Sequence, residues 1–234
     1  MSRWIIVGIS GVTNGGKSTL TKRLLDVLPD TTRLICQDDY FYPEDSPHHV
    51  PCPGGLDHHN WDIISSMDMT RMMKEIREII HSNPKPKLKA LEPGDVSYKA
   101  SSSLVSDVTA GTLPVLLLDG FLLFGLTELT EMCDFCFFFT LSREQCWDRR
   151  KIRNYEPPDP PGYFEHCVWP MYEAHLDYVK KNVPDVIFLD GMEDSFQMVC
   201  QQIETASKVS PSTFIPSGQM VKIGVHGKER QNSR

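Results

Sequence analysis

Eight residues near the amino terminus have the types and spacing of a phosphate cradle. Gly11-Val12-Thr13-Asn14-Gly15-Gly16-Lys17-Ser18 reads G-x-x-x-x-G-K-S, with an apolar run before it and a helical pattern after it. The glycines let the backbone curl until consecutive N–H groups point at phosphate oxygens, and the following helix adds its positive end. Lys17 has the reach for the β- and γ-phosphates, and the Ser18 hydroxyl is a hard-oxygen ligand for Mg²⁺. Such a cradle leaves open where the γ-phosphoryl group goes. Water takes it in a switch protein, and a second substrate takes it in a kinase.

Two further features favour the kinase. Asp38-Asp39 follow the second apolar run, where a carboxylate can take the proton of an attacking hydroxyl. Arg149, Arg150 and Arg153 precede a proline-rich loop and suit a lid over a transferring phosphoryl group, although a solvated helix face has the same composition. Trp61-Asp62 end a long polar loop. They form either a nucleoside clamp, ring on base and carboxylate on ribose hydroxyls, or a staple pinning the next helix. Spacing alone leaves both open.

These residues need elements to hold them. Residues 5–9, 34–36, 115–118, 135–141 and 186–189 read as buried strands. Between them lie helical patterns. Leu20, Leu24, Leu25 and Leu28 mark the first, stopped by Pro29; Met69, Met72, Met73, Ile76, Ile79 and Ile80 mark the second, as a core-facing stripe. Ser142 and Gln145 have capping-box spacing for a third. A fourth starts near Phe164 or at Pro170 and runs to the Lys180-Lys181-Asn182 end, and a last one covers 195–207. Strands alternating with helices predict an α/β fold: a P-loop NTPase-type parallel sheet of about five strands, with helices on both faces and an Arg-rich lid. Ligands bind such sheets at the carboxyl ends of the strands, which is where Gly11, Asp38, Asp119 and Asp190 fall.

The domain reading is a kinase domain over 1–207, with a mobile insertion at 82–112 and a lid at 149–163, then a disordered basic tail at 208–234. The net charge is −7; the tail holds five basic and one acidic side chain, so the body stands at −11. That body excludes nonspecific nucleic-acid binding and tolerates a cationic substrate. The longest apolar stretch, 113–124, is interrupted by Pro114, Asp119 and Gly120 and is too short for membrane insertion. Seven scattered cysteines without a secretory leader predict an intracellular, cytoplasmic protein.

Several weaker patterns carry no chemistry. Cys133 and Cys136 enter a strand that sets their sulfurs on opposite faces. His48-His49 and His58-His59 lack thiolates and regular ligand spacing. Trp4 and Trp169 are packing residues, and no G-x-S-x-G elbow surrounds Ser10 or Ser18.

Taken together, Gly8 through Ser18, Gln37-Asp38-Asp39-Tyr40-Phe41, Trp61-Asp62, Asp119 through Phe124, Arg149-Arg150 with Arg153 and Tyr155, Pro157 through Phe164, Val168-Trp169-Pro170-Met171-Tyr172 and Leu189-Asp190-Gly191 resemble nicotinamide riboside kinases. The resemblance spans residues 4 to about 205, outside 82–112, and the tailed form is similar to the muscle-type member. It implies ATP-dependent phosphorylation of the 5′-hydroxyl of nicotinamide riboside or nicotinic acid riboside on the salvage path to NAD. By resemblance Asp38 is the general base, helped by Lys17, and Ser18 and Asp38 attend the Mg²⁺ with Asp119 in the outer shell. The ATP site would comprise Gly11, Val12, Thr13, Asn14, Gly15, Gly16, Lys17, Ser18, Thr19, Arg149, Arg153, Glu193, Asp194 and Ser195. Trp61 and Tyr155 would sandwich the pyridine ring, Asp62 and Arg150 would hold the ribose hydroxyls, and Glu156 would lie beside them. A pyridinium on Trp61 gains a cation–π attraction of roughly 0.5–2 kcal/mol.

The chain departs from the family pattern at Asp119 (usually Glu), at Lys151-Ile152 (Ser-Thr) and at Glu165-His166-Cys167 (Asp-Gly-His). The alternatives are a uridine/cytidine-type kinase, or a weakly active P-loop protein that binds a protein partner through its tail.

Overall fold

The computed structural model describes residues 4–82 and 113–208; most of the 82–112 insertion and nearly all of the 208–234 tail lie outside them. In chain order the elements are β1 (Ile5–Gly11), α1 (Lys17–Val27), β2 (Arg33–Cys36), α2 (Met69–His81), β3 (Val115–Asp119), α3 (Thr127–Met132), β4 (Phe135–Thr140), α4 (Arg143–Arg150), α5 (Trp169–Asn182), β5 (Ile187–Asp190) and α6 (Phe196–Lys208). The strands form one parallel sheet in the order β2-β3-β1-β4-β5.

The pleat of β1 divides the core. Ile5, Val7 and Ile9 face Leu20 and Leu24 of α1 and Val199 and Ile203 of α6. Ile6 faces the other way, among Met72, Met73 and Ile76 of α2, Leu129 of α3 and Tyr172 and Val179 of α5. The sheet is therefore covered on both faces, as its apolar strands require. The methionine stripe of α2 is core, capped by Asp68, whose side chain accepts from the Arg71 N–H. The capping box of α4 is present, with Ser142 Oγ accepting from Gln145 N at 3.2 Å and Gln145 Oε1 from Ser142 N at 2.8 Å. Register sets the site: Ile9 pairs with Asp119, Cys36 with Asp119 and Gly11 with Phe139. The ends of β2 and β3 thus finish level, and β1 runs two residues past them to Gly11.

Three details differ from expectation. The sequence reading has no element at Thr127–Met132, where α3 lies; six residues are too few to display a helical period. The two candidate starts for α5 are both partly right: a π-helical turn, Phe164–Val168, runs directly into α5. Pro170 lacks the N–H that a regular helix would use there, which suits a widened turn just before it. Cys133 and Cys136 are the third case, and a correction. Cys133 precedes β4, so strand alternation does not govern it; its thiol donates to Leu129 O at 3.3 Å, and the neighbouring Cys136 thiol, with burial, pushes its pKa up.

Among the described residues, no helix is long and apolar enough to cross a membrane. None of their His, Cys, Asp and Glu side chains form a group of three or more that could hold a metal.

His175 of α5 is buried behind the phosphate loop, and its Nε2 has no hydrogen-bond partner. Burial, with a smaller push from Lys17, lowers its pKa to about 4. Between pH 6.5 and 4 the unfolded chain takes up a proton that the folded chain refuses, so this contribution is complete above 6.5 and is lost as the pH falls. It should amount to roughly 2 kcal/mol between pH 7 and pH 5. Urea denaturation at the two pH values should show that loss in the wild type and a much smaller one in His175→Leu.

Candidate active site

The turn after β1 is built around backbone that side chains cannot follow. Gly11 has φ +115°, and a Cβ there would lie 2.2 Å from the Phe139 carbonyl oxygen. Gly16 leads into α1 at φ +106°, and Asn14 takes the left-handed region at φ +58°. The result is a curl whose residues Thr13 to Thr19 line a cleft of about 730 Å³. The same cleft is lined by Asp38, Trp61, Asp62 and Asp119 and by Arg149, Arg150, Arg153, Tyr155 and Glu156. Gly11 and Val12 are not part of its lining. Their carbonyl oxygens instead accept from Lys17 Nζ at 3.1 and 2.7 Å, below the floor.

Lys17 is only 9 % exposed. Burial lowers its pKa, and the carboxylates of Asp119 and Asp38 resist that shift. Each of those acids is in turn pushed up by its own burial. For Asp38 the opposing groups are the cations Lys17 and Arg153; for Asp119 they are the neutral Ser18 hydroxyl, which donates to it, and then Lys17. Ser18, Asp38 and Asp119 form an oxygen-only donor set beside a phosphate loop. That set fits Mg²⁺, which takes one or two carboxylates and completes its shell with phosphate and water.

The lid is tied to the tip of the phosphate loop. Arg149 donates to the carbonyl oxygens of Asn14 at 3.0 Å and Gly191 at 2.9 Å. Arg153 donates to Asn14 Oδ1 at 3.1 Å, and the Asn14 amide donates to Tyr155 Oη at 2.9 Å. Arg150 is buried and makes a two-pronged ion pair with Asp159 at 2.7 and 3.1 Å, while its third nitrogen donates to Thr13 Oγ1 at 3.2 Å. Its guanidinium also stacks 4.1 Å from the Tyr155 ring centroid. The arginines are thus a structured clamp and not a solvated helix face.

At the far end, Trp61 stands among aromatic neighbours. His49 lies 4.2 Å from it, tilted, and Phe41 lies edge-on at 5.7 Å. Asp62 is held up in pKa by burial, against the pull of Arg150 and of the Tyr163 hydroxyl that donates to it at 2.8 Å. Both residues of the Trp61-Asp62 pair line the cleft, and the cap of α2 is Asp68 and not Asp62.

Glu193, Asp194 and Ser195 do not reach the cleft lining. Asp194 pairs with Arg23 of α1 at 2.7 and 3.1 Å and accepts from the Phe196 N–H at 3.1 Å. Asp159, Tyr163, Tyr42, Glu44 and Phe121 do line it, and the sequence reading gives them no role. The only signal for Asp159 and Tyr163 is a carboxylate and a phenol inside a run otherwise made of proline and glycine.

No family model matches the chain. Curated relatives do. Nicotinamide riboside kinase 2 of Homo sapiens is 35% identical over 205 residues, covering 86% of this chain and 82% of the relative. Nicotinamide riboside kinase 1 of Rattus norvegicus is 36% identical over 202 residues, covering 85% and 93%. Nicotinamide riboside kinase 2 of Mus musculus is 36% identical over 203 residues, covering 86% and 95%. Types 1 and 2 align equally well, so identity does not separate the two.

Removing the acid from a buried pair strands its partner's charge, at a cost of about 3 kcal/mol. Asp159→Ala should lower stability to urea by that order. The double variant Arg150→Met/Asp159→Leu should regain only part of it, because it also takes from buried Asp62 the guanidinium that opposes its burial.

Proposed function

The chain belongs to the nicotinamide riboside kinase family, and we propose that its cleft moves the γ-phosphoryl group of ATP to the 5′-hydroxyl of nicotinamide riboside or nicotinic acid riboside, in salvage towards NAD. The observation that carries this reading is continuity. One cleft runs from Lys17 and the phosphate loop, past Asp38, to Trp61 and Asp62.

The loop N–H groups, Lys17 and the amino end of α1 bind and orient the triphosphate. Ser18 and Asp38, with Asp119 accepting from Ser18, would hold Mg²⁺, which supplies charge neutralisation at the phosphates when bound. Asp38 accepts the proton of the 5′-hydroxyl. Its burial raises its proton affinity, while Lys17 and Arg153 keep the charged form within reach. Arg149 and Arg153 face the loop from the lid and can follow charge that develops on the transferring group. Trp61 and Tyr155, which both line the cleft, would take a pyridinium between them, Asp62 and Arg150 would take the ribose hydroxyls, and Glu156 lines the same cleft. Glu193, Asp194 and Ser195 would meet the nucleotide outside the cleft lining, after Asp194 exchanges Arg23 for it.

Most of the rate gain in such a site comes from alignment of hydroxyl and phosphorus and from preset charges. Asp119 places its carboxylate about one bond length nearer the backbone than a glutamate would. The Ser18 hydroxyl beside it opposes the rise in its pKa, which supports an outer-shell place for the shorter side chain.

The test is turnover with saturating Mg-ATP and a nucleoside panel: both pyridine ribosides, uridine and cytidine. Pyridine ribosides should be turned over and pyrimidine nucleosides disfavoured by about tenfold or more. Turnover of uridine alone would move the protein to the uridine kinase reading. Asp38→Asn should lower kcat by about 10²–10⁴-fold and leave ATP affinity within a few-fold; a near-normal kcat would remove Asp38 as base.

A further inference from the structure

Tyr163 belongs to no part of the mechanism above, yet it touches both halves of the nucleoside end. It is 1% exposed and sits at the close of the lid, just before the π-helical turn that leads into α5. Its hydroxyl makes two directed bonds. It accepts from the backbone N–H of Trp61 at 2.9 Å and donates to Asp62 Oδ2 at 2.8 Å. A phenol with one donor and one acceptor direction is fully used by this pair, so its hydrogen cannot turn elsewhere without leaving a buried group unpaired.

The geometry around it is over-determined. The Tyr163 ring takes the His58 ring edge-on at 5.0 Å and faces the Arg150 guanidinium at 5.8 Å. From the other side, Asn60 Oδ1 accepts from Asp62 N at 3.1 Å, and the Asn60 carbonyl accepts from Ser66 Oγ at 2.6 Å. The turn at residues 60–62 is therefore fixed at its backbone by Asn60 and Ser66, and its carboxylate is fixed by a residue about 100 positions away. Burial also pushes the phenol's pKa far above its ordinary value, so it stays a donor throughout the working pH range.

We propose that Tyr163 is a positioning residue for the nucleoside: its single hydroxyl sets the indole of Trp61 and the carboxylate of Asp62 in one mutual orientation, so that base and ribose are read as a unit. The phenol acts through Asp62, on which its hydrogen is spent. The proposal rests on the reading that Asp62 accepts from the ribose hydroxyls. Loss of the hydroxyl should weaken binding in ground state and transition state alike, which appears in KM and not in kcat.

The experiment is Tyr163→Phe, which keeps the ring against His58 and Arg150, measured as the full-length protein with the riboside and its 2′-deoxy analogue. Expected are a KM for the riboside raised about tenfold, kcat and the KM for Mg-ATP changed by less than about twofold, and a smaller preference for ribose over 2′-deoxyribose. In an Asp62→Ala background the same change should shrink to under about threefold, since the phenol then has little left to position. A Tyr163→Phe protein with an unchanged riboside KM, or one that loses kcat and ATP affinity together, overturns the proposal and leaves the tyrosine a packing residue.

The underlying reading fails separately. An Asp62→Ala protein that keeps the full ribose preference shows that Asp62 does not take the diol. If the wild type turns over uridine in place of pyridine ribosides, the same ratios are measured with uridine and 2′-deoxyuridine, and Tyr163 is judged on those. A wild type with no nucleoside turnover overturns both.

Discussion

A buried ammonium organises this cleft. Lys17 sits under the phosphate loop on two carbonyl oxygens, and a cation withdrawn from water to that degree needs negative charge nearby. Asp38 and Asp119 supply it from the ends of two neighbouring strands. The arrangement is mutual: the acids are themselves buried, and Lys17 is part of what keeps them from being neutral. None of the three charges would be tolerated at its depth alone. The register of the sheet makes the arrangement possible, because Cys36 and Asp119 end level with each other beside Ile9, and β1 runs two residues further to Gly11, where the phosphate loop begins.

From that centre the site extends in two directions by different means. Towards the lid it is held by guanidinium groups on backbone and side-chain oxygens of Thr13 and Asn14. Towards Trp61 it is held by aromatic contacts and by the bonds that Tyr163 makes to residues 61 and 62. Arg150 lies where these meet, with Asp159 on one side and the rings of Tyr155 and Tyr163 on the other. A substitution at Arg150 therefore disturbs both ends at once.

Much of this was legible in the chain because the decisive signals are local. A glycine-rich turn between a β-branched run and a leucine-patterned helix declares itself within about 25 residues, and so do the capping box at Ser142 and the stripe of α2. What stayed hidden depends on distant partners. Nothing near Asp159 announces that it neutralises Arg150, and nothing near Tyr163 announces Asp62. Cys133 and Cys136 misled because the strand begins after the first of them, which removes the alternation argument. The placement of Asp194 against Arg23 needed the packing of α1 beside the loop after β5, which no single-segment pattern encodes.

The tethering of residues 149–155 to the phosphate loop has a thermodynamic consequence for any anion that enters between them. Arg149, Arg153 and Asn14 already satisfy one another across the gap between lid and loop. A phosphate that recruits these groups displaces existing partners and does not merely add new ones. The affinity of any such anion is then the difference between two sets of hydrogen bonds, and a weaker resting tether would tighten its binding without touching any of its atoms.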